Sequence, residues 1–461
     1  MRNFPMASAT LTILLSMGTA AAAETGPVGE LQADLLEQPG AVVTIELEAG
    51  GDMLVQQEGQ TERVPMSVVA NLSYRRHILD WSPDPHGLAR ALRHYNKAEA
   101  TIKVSDEVLQ QQLAEEHRWN LAEIRAGQSA INGQDNPLTR EALDLVHVVG
   151  NSLAIDRLLP GCAKADGEGW DHEPAVIGAL LGMEHVAACE VSSVVVGRVG
   201  DEVQIQTTGT VHGLYDGAPT EIELKAAFLF HLGQERITKF NLAIKEHRNP
   251  GVASPGLDIV AKVKMQIARP SQQSPITPAR VVKATAAAQP LSRVLAFNAP
   301  RQGYQLRHDR RWFVMAENRE LVSLRCVQGG ELTAHCNITT LPARSEGRQT
   351  NMQQFELDIR ELLGEHLQEV AVATQWTTAN GHQCLGIIAN GRVDEVPMQW
   401  RYYLISTEGL PRVTIAVTVE RSRLESFADA DRQIVDSLKL IQPTRTASAD
   451  QQAEQPPHQN R

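Results

Sequence analysis

Past position 190 the chain alternates apolar and polar residues with a period of two. Val203, Ile205 and Thr207 alternate with Gln204 and Gln206. Ile222, Leu224, Ala226, Phe228 and Phe230 alternate with Glu221, Glu223 and Lys225, and Phe240, Leu242 and Ile244 with Lys239, Asn241 and Lys245. Turns are expected at Gly200-Asp201, Asp216-Gly217 and Gly233. Consecutive alternating segments with short turns predict an antiparallel meander with one wet face. Before position 190 the pattern is mixed. Strands are expected over 42–48, 53–57 and 64–77, and helices over 87–98 and 107–126, the latter from the spacing of Leu109, Leu113 and Leu121. One or two helices are expected over 138–159, and Pro174 opens a short apolar helix over 174–181, at the first-turn position proline tolerates.

The last third follows a second plan. Strands are expected over 304–315, 321–327 and 332–341, then a helix over 351–367 with Phe355, Ile359, Leu362 and Leu363 on one stripe. Four further strands, over 370–378, 383–389, 398–405 and 412–420, precede a closing helix over 425–440. Pro270, Pro275, Pro278 and Pro290 with low apolar content make 271–291 a flexible linker, and 442–461 reads as a disordered tail. The fold class is therefore α+β: two domains, 27–270 and 292–441, each an antiparallel β-sheet with packed helices.

The N-terminus bears on compartment. Arg2, an apolar run over 7–17 and the alanines 20–23 before Glu24 have the order of a secretory signal cleaved near Ala23. The run is too short to span a bilayer and no later stretch is long enough, so a periplasmic or secreted product without a stable membrane anchor is expected. A net charge of −12 over 461 residues without a basic cluster disfavours nucleic acid as a partner.

Five cysteines then enter an oxidising compartment, and the odd count leaves one unpaired. Cys326 and Cys336 flank a turn at 328–331. A five-residue loop over 329–333 would set them opposite each other and allow a disulfide, whereas a four-residue loop would not. Alternation places both on the apolar face, where two buried thiols are the plainer outcome.

Arg311-Trp312-Phe313-Val314, Gln399-Trp400-Arg401-Tyr402-Tyr403 and the segment Asp431 to Leu438 give residues 300–441 an order that resembles the PsbP-like fold of a photosystem II extrinsic subunit and of many bacterial envelope proteins. The resemblance implies assembly or binding roles without catalysis. It is an analogy from fold alone. Leu158-Leu159-Pro160, Gly169-Trp170 and Pro255-Gly256-Leu257-Asp258 likewise make the first domain similar to uncharacterised exported bacterial proteins, which carries no activity with it.

Candidate chemistry is sparse. Asp171, His172 and Glu173 lie near Glu184, His185 and Cys189. If the helix from Pro174 ran past Glu184, His185 and Cys189 would share one face at i and i+4, half of a zinc site, with His172 as a third ligand. The spacing matches no zinc motif, and the strand pattern from Val191 opposes such a helix, so solvated or loop-satisfied histidines are preferred. His86 and His94 would sit two helical turns apart, about 12 Å, too far for one metal ion. Neither a nucleophile elbow nor a phosphate-cradling glycine loop occurs. Six scattered tryptophans read as packing residues. No catalytic residue and no cofactor is assigned. The chain reads as an exported binding or scaffolding protein for a small molecule or a protein, with an exported hydrolase or metal-dependent enzyme centred on 171–189 as the rival.

Overall fold

The computed structural model describes residues 28–33, 35–36, 40–57, 59–270, 274–286, 294–343 and 350–443. The expected signal at 1–23 and nearly all of the expected tail lie outside them. The first half contains strands β1 (Val28–Glu30), β2 (Gly40–Gln57), β3 (Gln60–Asp80), β4 (Ala89–Val104), β5 (Glu107–Gln112), β6 (Trp119–Arg125) and β7 (Gln128–Gly133). Helix α1 (Arg140–Val146), β8 (Ala163–Lys164), β9 (Gly169–Asp171) and helix α2 (Pro174–Leu181) follow. Then come β10 (His185–Val199), β11 (Glu202–Tyr215), β12 (Ala218–His231), β13 (Arg236–Arg248) and β14 (Gly256–Ala268). Among the described residues, twelve of these strands form one antiparallel sheet in the order β7-β6-β4-β3-β2-β14-β13-β12-β11-β10-β9, with β5 beside β4. The meander read from alternation is the run β10 to β13, with turns at Gly200-Asp201, Asp216-Gly217 and around Gly233, and the structure adds β14 to it.

The α+β assignment is overturned. Of the described residues 58% lie in strands and 16% in helix, so the fold is nearly all sheet. The two expected helices at 87–98 and 107–126 are strands β4, β5 and β6. A separation of four residues is a multiple of two as well as one helical turn, so Leu109 and Leu113 fit one face of an extended chain equally, while Leu121 lies on the next strand, β6. The alternation of β4 was hidden by a bulge. Ser73 pairs with Lys97 and Tyr74 with Tyr95, leaving Asn96 unpaired. The inward phase therefore passes from Ala91, Arg93 and Tyr95 to Ala98, Ala100 and Ile102. His94 stands on β4, its ring 4.4 Å from that of Trp119, and not on a helix with His86.

The inner face of the large sheet needs a cover, and residues 134–183 supply it. Thr139 caps α1 by accepting from the Ala142 amide at 3.2 Å. Leu153, Ile155, Leu158, Ile177, Leu180 and Leu181 are buried against the sheet. Each contributes about 2 kcal/mol by leaving water. Helix α2 touches both lateral ends of the sheet: a Cβ on Gly127 in the β6–β7 turn would meet Ala175 Cβ at 2.8 Å, and one on Gly178 would meet Val186 Cγ2 of β10 at 3.1 Å. The segment is a plug inside an open barrel.

Inside the expected linker, helix α3 (Pro278–Ala286) docks on the outer face of the first sheet. Ala284 packs with Leu92 and Leu121, Arg280 lies 4.5 Å from the Trp119 ring centre, and Arg280 and Lys283 both reach Asp135 at 2.7 Å. The second half contains β15 (Val294–Ala299), β16 (Tyr304–Asp309), β17 (Trp312–Glu317), β18 (Leu321–Gln328), β19 (Glu331–Leu341), helix α4 (Met352–Leu363), β20 (Leu367–Thr377), β21 (Gln383–Val393), β22 (Val396–Ser406) and β23 (Arg412–Glu420). Helices α5 (Leu424–Phe427) and α6 (Ala430–Ser437) and strand β24 (Lys439–Leu440) close it. Its main sheet runs β17-β18-β19-β23-β22-β21-β20, and a small one runs β15-β16-β24. The single closing helix expected over 425–440 is broken where Ala428 and Asp429 take positive φ.

Arg401 and Asp431, from the segments that suggested the PsbP-like likeness, form a buried pair at 3.0 Å. Tyr403 donates to Asp431 at 2.5 Å, and Trp312 Nε1 donates to the Ala430 carbonyl at 3.2 Å. These contacts pin α6 to the sheet. Asp431→Ala strands the Arg401 charge inside, and a loss of about 3 kcal/mol is expected in urea denaturation. A loss below about 1 kcal/mol would show that Asp429, 2.6 Å from Arg401, suffices alone.

Candidate functional site

The residues singled out around 171–189 do not converge. Helix α2 stops at Leu181 because Gly182 adopts φ +76°, the left-handed C-cap. His185 and Cys189 therefore lie on strand β10, four residues or about 13 Å apart along an extended chain, instead of one turn apart on a helix. His185 is exposed opposite Leu214, and Cys189 is half-buried opposite Val211. Glu173 faces His86 at 3.7 Å, and Glu184 accepts from the Gly217 amide at 3.0 Å. Among the described residues, no three His, Cys, Asp or Glu side chains gather as a metal would need. Cys326 and Cys336 are buried free thiols. The β18–β19 turn is the two-residue Gly329-Gly330, and with a bulge after Cys326 the register pairs Cys326 with Ala334 and Cys336 with Leu324. Neither loop length considered from sequence occurs.

His172 has a different setting. Its Nε2 lies 2.6 Å from Ser193 Oγ, which lies 2.6 Å from Thr207 Oγ1. Burial pushes the imidazole down to about 4, so it is neutral at pH 7. A base beside a serine hydroxyl is the first part of a nucleophile, but Ser193 is 2% exposed and a substrate needs a route to it. The chain His172–Ser193–Thr207 ties β9 to β10 and β11.

The structure adds a cluster that the reading of 87–98 as helix concealed. Strands β3 and β4 place Tyr74 opposite Tyr95 and Arg76 opposite Arg93 on the inner face. Both arginines are 3% exposed. Tyr74 donates to Ser152 Oγ at 2.7 Å, Arg76 Nη1 to the Ser152 carbonyl at 2.6 Å, and Arg93 Nη2 to Asn151 Oδ1 at 2.9 Å. The buried Asp156 accepts from the Ile237 amide at 3.3 Å and attracts Arg76 and Arg236. Arg76 is held below the ordinary arginine range by burial. These contacts fasten the plug to the sheet. A cavity of about 10 Å³ remains among Tyr74, Arg93, Tyr95, His147, Asn151 and Ser152, room for about one water molecule.

Beyond the plug the inner face continues past Leu47, Ala49 and Ile102, which still pack on the margin of the core. Register carries the inward column from Leu47 and Ala49 on β2 to Val64, Met66 and Val68 on β3 and to Ile102 and Val104 on β4. All are half-buried, and Leu109 on β5, opposite Ile102, is 54% exposed. The result is an open apolar trough with β5 at its rim.

The buried His172 predicts acid sensitivity with a definite sign. An unfolded histidine binds a proton near pH 6.5, whereas the folded one resists until about 4. Stability should therefore fall as pH drops through this window, by up to about 3 kcal/mol from this residue. His172→Gln should lie below the parent at pH 7 and close the gap towards pH 4.5 in denaturant titrations. A gap of constant size would refute the assignment.

No family model matches the chain, and no curated protein matches it. Solved structures similar to part of it include a protein from Bacteroides thetaiotaomicron VPI-5482, at 10% identity and TM-score 0.25, covering 33% of this chain and 49% of that one. Another is the cyanobacterial PsbP of Synechocystis sp. PCC 6803, at 12% identity and TM-score 0.26, covering 33% of this chain and 94% of that one. A protein of unknown function from Pseudomonas aeruginosa, described as a putative regulator, matches at 11% identity and TM-score 0.23 over 34% of this chain and all of its own length. Likeness at this level is a partial resemblance in fold, PsbP included, and carries no function with it.

Proposed function

We propose that the chain is an exported, non-catalytic binding or scaffolding protein of the bacterial envelope, and that its partner is a protein seated on the apolar trough of β2 to β5. The observation that carries this reading is the continuation of the inner apolar face past the plug, ending in the exposed Leu109 opposite Ile102. A small ligand usually sits in a pocket of several hundred Å³ that buries most of its surface. The cavity under the plug has about 10 Å³, the hollow of about 310 Å³ among Thr44, Glu46, Lys239, Asn241 and Lys264 is open and lined mainly by polar and charged side chains, and the trough is an open face. Such a face suits a protein surface, which buries area without an enclosed pocket. Strand β5 also pairs only with β4 among the described residues, so its free edge could extend pairing to a partner segment. Export rests on the order of residues 2–24. The rival hydrolase draws on the 2.6 Å contact of His172 with Ser193, whose burial opposes it.

A photo-crosslinking residue at Leu109 should join the mature protein, beginning near Glu24, to a discrete envelope partner, and one at Lys262 on the outer face should not. Leu109→Lys should cut co-purification of that partner several-fold while leaving the melting temperature within about 2 °C, as exposed substitutions do. Equal yields at both positions, or stoichiometric labelling of Ser193 by a fluorophosphonate, would overturn the proposal.

A further inference from the structure

The cavity under the plug lies beside a charge that its neighbours do not balance. Arg93 donates to the amide oxygen of Asn151, approaches the Ser152 hydroxyl at 3.4 Å and lies 5.0 Å from the Tyr74 ring centre. All three partners are neutral. Arg76, directly opposite, carries the same charge, and Asp156 is shared between Arg76 and Arg236. A buried cation in this position costs several kcal/mol unless a counter-charge reaches it. Two buried polar groups of the lining, Arg93 Nε and the Tyr95 hydroxyl, have no acceptor at full hydrogen-bond geometry, and the Tyr95 hydroxyl, itself neutral, lies close enough to Arg93 to favour its charge. Both can donate. The remaining wall includes Ile45, Leu72 and Ile131, which favour a weakly hydrated guest.

We propose that this cavity binds one small monovalent anion of halide size, with Arg93 as counter-charge and Tyr95 as hydrogen-bond donor. The volume admits a single sphere about the size of a water molecule, so a halide enters with an outward shift of the lining of a few tenths of an ångström, and sulfate, phosphate and carboxylate metabolites are excluded by size. Because the same arginines hold Asn151 and Ser152, an anion here strengthens the attachment of plug to sheet. Chloride is the abundant ion of this class.

The test uses the full mature protein. At constant ionic strength, replacing sodium gluconate by sodium chloride should raise the melting temperature along a saturating curve, by about 2 °C or more. Bromide should act likewise and give an anomalous scattering peak beside Arg93 in crystals. Tyr95→Phe keeps the ring and the charge, and should weaken the apparent affinity about tenfold, as loss of one hydrogen bond to a charged group does. Arg93→Gln should abolish the saturable response. If Arg93→Gln does not fold, Tyr95→Phe and the bromide peak decide. A chloride response that is absent, or unchanged in Tyr95→Phe, with no bromide density at Arg93, would overturn the proposal and leave the cavity to water.

Discussion

A sheet of twelve strands with one apolar face cannot remain in water with that face bare. In this chain the cover comes from within. Residues 134–183 leave β7, cross the inner face and return as β9, so the two lateral ends of the sheet are bridged by the helix between them. The positions where this works are small ones. Gly127 and Gly178 let the backbone of α2 approach the β6–β7 turn and β10 at distances that a side chain would prevent. Everything else in the first domain follows from that fit: a sealed core where the plug lies, and a half-buried apolar strip where it does not reach.

The fastening of the plug is polar, which is an expensive way to hold a core together. Arg76 and Arg93 face each other on adjacent strands, an arrangement that like charges oppose. Apolar residues of similar volume would often be at least as stable there. What the arginines add is direction. Their hydrogen bonds to Asn151 and Ser152 accept one placement of the 147–158 loop, whereas an oily surface would accept several. The neutral His147 beside them, pushed down to about 4 by burial and by Arg310, Arg93 and Arg140, keeps the local charge from rising further near neutral pH.

Legibility in the sequence followed the regularity of each element. The run from β11 to β13 was readable because long stretches of its strands hold a single phase and its turns use Asp216, Gly217 and Gly233; β10 was readable as a strand although bulges at 186–188 and 195–197 shift its phase. Helices α2 and α4 were readable because Pro174 opens one and a stripe at helical spacing marks the other. Strand β4 was not, because the bulge at Asn96 reverses its inward phase halfway along. That one misreading also hid the arginine cluster: on a helix Arg93 and Tyr95 point apart, on a strand they point together. The thiols of Cys326 and Cys336 depended on a bulge as well. A shift of one residue after Cys326 moves its partner from one column to the next, and spacing counted along the chain cannot register it.

The two halves are joined by more than a tether. The tips of two hairpins, one at Asp216-Gly217 and one at Gly329-Gly330, abut so closely that a Cβ on Gly217 would lie 2.5 Å from Gly330 Cα. Positive φ at Asp216 and Gly217 makes the first a turn of the type that suits a twisted hairpin, so Gly217 is required both for the bend and for the contact. Arg140 of α1 donates to the Arg310 carbonyl at 2.8 Å and lies 4.7 Å from the Phe313 ring centre, and Arg310 returns to the Ile131 carbonyl. Helix α1 belongs to the plug. The second domain is thus anchored to the same segment that fills the first, and a force on either is passed through α1 to the loop held by Arg76 and Arg93. A partner seated on the trough, at the margin of that plug, would meet both domains as one body.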